Sequence, residues 1–128
     1  MRLWGDDLLL HSPMPVRWYR PRGERWARLD EVDLEDPRIG HAIGVYVIWR
    51  LGPVPRVLRV GQGVVRDEIA ASRRDRRLRR RAGEDICVTW ASIATPYRDG
   101  VVAYLTSYYD PQVRGAVPDA EPIAVELP

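Results

Sequence analysis

From Arg73 to Arg81 the chain reads RRDRRLRRR. Guanidinium groups at that density release counterions when they meet a phosphate backbone. Arg73, Arg74, Arg76, Arg77, Arg79, Arg80 and Arg81 are therefore candidate contacts for nucleic acid or another polyanion. A solvated helix face has the same composition. All 20 basic residues are Arg, while Lys, Asn and Phe are absent; a GC-rich coding bias explains all three absences and weakens any argument from arginine's bidentate geometry. Gly61-Gln62-Gly63 could cradle a phosphate but lacks the further Gly, Lys and Ser/Thr of a P-loop, so it reads as a break between strand and helix. His11 and His41 stand far apart without neighbouring Cys or carboxylates at ligand spacing, which excludes a zinc site. Ser72 and Ser92 have no companion His nearby, so a nucleophilic triad is not expected. Cys87 is the single cysteine and sits in an apolar run, the setting of a buried thiol. Tyr104 and Tyr108 recur at helical spacing and are expected to pack on a sheet; with Tyr109 they could alternatively form a base-stacking platform.

These residues need elements to position them. IGVYVIW, from Ile43, has the β-branched and aromatic content of a strand. Gly52-Pro53 and Pro55 mark a turn, and VLRV follows as the second arm of an antiparallel hairpin. The glycines of VGQG break that strand. VVRDEIAASRRDRRLRRR continues with helix-compatible residues, and Gly83 is a plausible stop. ICVTWASIA is a third strand. Pro96 and Asp99 precede VVAYLTSYY, where Val101, Leu105 and Tyr108 recur at helical spacing, and Pro111 ends that helix. The Pro-rich tail to Pro128 should lie extended on the surface. Residues 1–40 form an N-terminal extension that covers part of the core, with an acidic turn-rich connector, DEVDLEDPRIG, ending at Gly40. The expected fold class is α/β, of the α+β kind: a three-stranded antiparallel sheet flanked by helices in β-β-α-β-α order over residues 41–128.

A chain of 128 residues is expected to be one domain. No stretch approaches the roughly 20 apolar residues of a membrane helix. The opening MRLWGDDLLLHS sets two Asp before a very short apolar run, unlike a signal peptide. A cytoplasmic monomer or homodimer is expected. The net charge of +2 conceals segregation, with the basic run set against acid-rich segments at Asp30–Asp36 and near the C-terminus.

Gly44-Val45-Tyr46 on the first strand and Arg59-Val60-Gly61 at the end of the second resemble the two halves of a GIY-YIG motif. The order of hairpin, glycines and helix is similar to that nuclease superfamily over roughly residues 41–128, especially through GVYVIW, VLRVGQG, VTWASI and RDG. The resemblance implies the fold named above, with Gly44, Gly61 and Gly63 as its backbone positions. It also implies a metal-dependent nuclease: a Tyr near the attacking water, a second Tyr beside it, an Arg on the next helix for the phosphate, and a later Glu on a divalent cation. Such groups supply the positive charge and activated water that a phosphodiester transition state needs.

Carried across, Tyr46 matches the first Tyr and Gly61 the second motif's glycine. Arg59 replaces the second Tyr, Glu68 stands where the Arg belongs, Ser72 where small bacterial relatives have His, and Val102 where the metal-binding Glu belongs. Val cannot ligate a hard cation, and Glu68 would repel a phosphate. No metal is therefore expected. The first reading is a divergent scaffold without standard nuclease activity that binds nucleic acid or another polyanion. The second is an endonuclease using Mg or Mn, with Arg66 or Arg59 supplying charge and Glu68 as ligand or general base. The third is a cleft in which Tyr46, Arg59, Arg66 and Glu68 bind or process an anionic small molecule, as a binding protein or a biosynthetic enzyme. No membrane partner is expected.

Overall fold

The fold was determined as a computed structural model, which describes residues 12–23, 25–82 and 85–128. Among the described residues seven elements follow one another: β1 (Ala27–Arg28), β2 (Ile43–Arg50), β3 (Arg56–Val64), α1 (Val65–Arg73), α2 (Arg76–Ala82), β4 (Ile86–Ser92) and α3 (Thr95–Tyr109). The strands form one antiparallel sheet in the order β1-β4-β2-β3. The architecture is α+β.

β2 lies inside the sheet, and its alternating side chains fill two cores. Tyr46 and Ile48 point to the side of α1 and α2, where they meet Val65, Ile69 and Leu78, together with Val88 and Trp90 of β4. Val45 and Val47 point to the other side, against Val101, Val102 and Leu105 of α3. β3 carries a bulge opposite Ile48 and Trp49: Arg59 pairs with Ile48 and Val57 with Trp49, leaving Leu58 over. Leu58 is buried in the α1-side core.

Four expectations need correction. The sheet has a fourth strand, because residues 27–28 pair with Val88 and Cys87 on the outer edge of β4. VGQG does not end β3; the ladder runs on to Val64, with Gly61, Gln62 and Gly63 paired to Tyr46, Val45 and Gly44. The helical stretch after it is two helices. Asp75 separates them by accepting from the backbone N–H groups of Arg77 (2.9 Å) and Leu78 (3.4 Å), as an N-cap does. The last helix begins at Thr95, with Pro96 inside its first turn, where a missing N–H costs nothing. Gly83 lies outside the described residues.

The N-terminal segment, where described, belongs to the core: Leu29 and Ile39 are fully buried. The tail is tied down at three places, by Val113 N–H to the Leu58 carbonyl (2.8 Å), by Ile123 N–H to the Gly100 carbonyl (2.9 Å) and by a bridge between Met14 and Val125. Cys87 is buried. Among the described residues no helix is long and apolar enough to cross a membrane.

Candidate functional site

Tyr46 and Gly61 sit directly opposite each other on β2 and β3. The phenol ring lies across β3 at that point, and a Cβ on residue 61 would collide with its hydroxyl end. Glycine there is the condition for the ring's position. The Tyr46 hydroxyl donates to Glu68 Oε1 at 3.0 Å. Glu68 stands in the first turn of α1. Gly63, two residues before the helix, has φ +139°, a conformation open to glycine and strained for other residues. The Glu68 side chain folds back over it.

The Tyr46 side chain is almost wholly buried. Burial pushes its ionisation far above the ordinary phenol range, and the Glu68 carboxylate pushes it further; Arg59 acts in the opposite direction and is outweighed. A phenol held protonated by a carboxylate is a hydrogen-bond donor and a poor base. The buried Ser72 hydroxyl lies close enough to Tyr46 to oppose this shift slightly, without reaching hydrogen-bonding geometry.

Arg59 points to the same face of the sheet, but its charge is already engaged. Its Nη2 donates to Asp75 Oδ2 at 2.6 Å, and both side chains are more than four-fifths buried. That guanidinium, through its hydrogen bond, holds the Asp75 carboxyl down at about 2. Arg77 approaches the same carboxylate at 3.5 Å.

Tyr46, Arg59, Glu68 and Asp75 line a cleft of about 640 Å³, which also takes in Gln62, Arg77, Asp99, Val102 and residues 115–119 of the tail. Gln62 Nε2 donates to Asp99 Oδ1 at 2.8 Å. Four carboxylates (Glu68, Asp75, Asp99, Asp119) face two guanidinia there, so the cleft is acidic on balance. An anionic small molecule would meet net repulsion. Val102 is buried and offers no oxygen, Glu68 is engaged by Tyr46, and among the described residues no three His, Cys, Asp or Glu converge as a ligand set.

Arg66 is absent from this cleft; its Nε donates to the Leu34 carbonyl at 2.8 Å. Gly44 lies on β2 opposite Gly63 and Ser92. The basic run divides by role. Arg73 donates to the carbonyls of Leu29 (2.9 Å) and Val32 (2.5 Å), and Arg79 pairs with Asp30 and bonds the Arg73 carbonyl. These two fasten the N-terminal segment to the helices. Arg74, Arg76, Arg77, Arg80 and Arg81 are exposed. Asp75, Asp99 and Gln62 were missed at the sequence level; the lone acid in RRDRRLRRR was the one visible signal of a helix cap.

The chain matches no protein-family model, no curated protein and no solved structure. Two other clefts offer less. One, of about 480 Å³, includes Tyr19 stacked on Trp90, but Arg28 and Arg38 in its lining are paired with Asp85 and Asp36. Another, of about 320 Å³, is lined by Trp26, Trp49 and Tyr109 beside apolar residues and by Arg56, whose Nη2 already donates to the Asp110 carbonyl at 3.0 Å.

Proposed function

We propose that this chain is a divergent GIY-YIG-type domain that binds nucleic acid without cleaving it. The reading of the scaffold is supported by a hairpin whose two arms bring Tyr46 and Gly61 into register, followed at once by a helix. The non-hydrolytic part rests on one observation above the rest: the Tyr46 phenol is spent on Glu68 inside a cleft where carboxylates outnumber guanidinia. A phosphodiester entering there would be repelled, and the Tyr46 hydroxyl, donated to Glu68, is not free to activate water. The binding part is supported by the five exposed arginines of the 73–81 run, which lie outside that cleft except for Arg77.

The test is a gel-shift assay with labelled duplex DNA, with and without Mg²⁺ or Mn²⁺. Salt-sensitive binding with intact DNA is expected. Metal-dependent cleavage abolished by Tyr46→Phe would establish an active nuclease instead. Tight binding of a small anion in the Tyr46 cleft, with no affinity for DNA, would establish a repurposed pocket.

A further inference from the structure

α2 and the segment 112–114 enclose a groove of about 410 Å³, separate from the Tyr46 cleft in all but Arg77. Its lining is Arg77, Arg80, Arg81, Gln112, Val113 and Arg114, with no carboxylate among them. Four guanidinia from two parts of the chain thus face one space. We propose that this groove is the seat for the phosphodiester backbone of a bound nucleic acid, a proposal that rests on the function above and gives it a location.

Both walls are fixed before any ligand arrives. Leu78 anchors α2 in the core, and Arg50 donates to the Arg81 carbonyl at 3.1 Å. The opposite wall hangs on β3, through Gln112 N–H to Val57 (3.2 Å) and Val113 N–H to Leu58 (2.8 Å), with the Val113 side chain buried. Backbone anchoring of this kind spares the ligand the cost of ordering the site. The charges themselves remain available. Among the described residues, the side chains of Arg80 and Arg81 have no hydrogen-bonding or ion-pair partner. Arg114 pairs with Asp110 where both side chains are more than half exposed, and Arg77 meets Asp75 at 3.5 Å with its own side chain 66% exposed. The exposed Arg114–Asp110 pair contributes little and is readily exchanged for phosphate, while Arg77 meets the largely buried Asp75 at a longer distance than Arg59 does.

The number of charges favours a polymer over a single ion. One phosphate leaves part of a fourfold positive groove uncompensated, whereas successive phosphates of a backbone engage several guanidinia and release a counterion for each.

The groove is tested by measuring duplex-DNA affinity against salt for three proteins. They are the native chain, Arg80→Ala/Arg81→Ala/Arg114→Ala, and Arg17→Ala/Arg22→Ala/Arg25→Ala. The last removes the same charge from exposed positions elsewhere. Circular dichroism checks that both variants fold. The groove variant should lose about 2.7 from the log–log salt slope, roughly 0.9 for each phosphate contact, and roughly tenfold or more in affinity near 0.1 M salt. The charge-matched control should stay within about threefold. Equal losses in the two variants, or none in the groove variant while the native chain binds, would overturn the groove and leave the nucleic-acid function standing. A native chain that binds inorganic pyrophosphate through these arginines but no duplex would overturn both.

Discussion

Tyr46 keeps its proton because it is buried beside a carboxylate, and that pairing commits its hydroxyl as a hydrogen-bond donor. In an alkaline absorbance titration of the folded protein, Tyr46→Phe should remove no signal from the ordinary phenol range, since Tyr46 ionises well above it. The same substitution leaves Glu68 without its donor and should cost about 1 kcal/mol in urea unfolding. Asp75 is held in the opposite sense. Its folded carboxyl ionises near 2 against an ordinary 3.8, so its contribution to stability is complete above about pH 4 and is lost as pH falls toward 2. Asp75→Ala should flatten that part of the acid-unfolding curve. It should also destabilise the protein at neutral pH by about 2–4 kcal/mol, because it removes a helix cap and strands the largely buried Arg59. No shift in the acid limb on Asp75→Ala would contradict the pairing.

At the level of elements, β2, the first arm of β3, β4 and the body of α3 were legible because β-branched and aromatic runs or helical periodicity declare them. β1 was not, since Ala27-Arg28 has no strand propensity of its own and is made by its pairing with β4. The split between α1 and α2 was hidden inside a basic run whose one acid turned out to be a cap. The facing of Tyr46 and Arg59 could be anticipated from strand pairing, but their partners could not. Glu68 reaches Tyr46 because of the backbone at Gly63, and Asp75 reaches Arg59 only once α1 ends. Gly63→Ala should therefore cost about 1–3 kcal/mol through its positive φ, a loss readable in the unfolding midpoint. Arg79→Ala should speed amide exchange at residues 29–32 by releasing Asp30 from α2 while leaving β2 unchanged; uniform exchange along the chain would argue against this local role.

Over the whole molecule, charge is sorted more strictly than the net +2 suggests. Acid dominates the Tyr46 cleft, Asp30 and the carbonyls near it draw in Arg73 and Arg79, and the exposed arginines gather in two places, on and around α2 and along residues 17–38. Under the proposed function, binding belongs to the α2 surface, and the acidic cleft lacks the positive charge that hydrolysis needs. The most direct test is to incubate the purified chain with labelled duplex DNA and Mg²⁺ or Mn²⁺, following complex formation and strand integrity in the same sample. The account predicts a salt-sensitive complex whose DNA remains whole; metal-dependent cleavage lost in Tyr46→Phe, or no complex even at low salt, would contradict it.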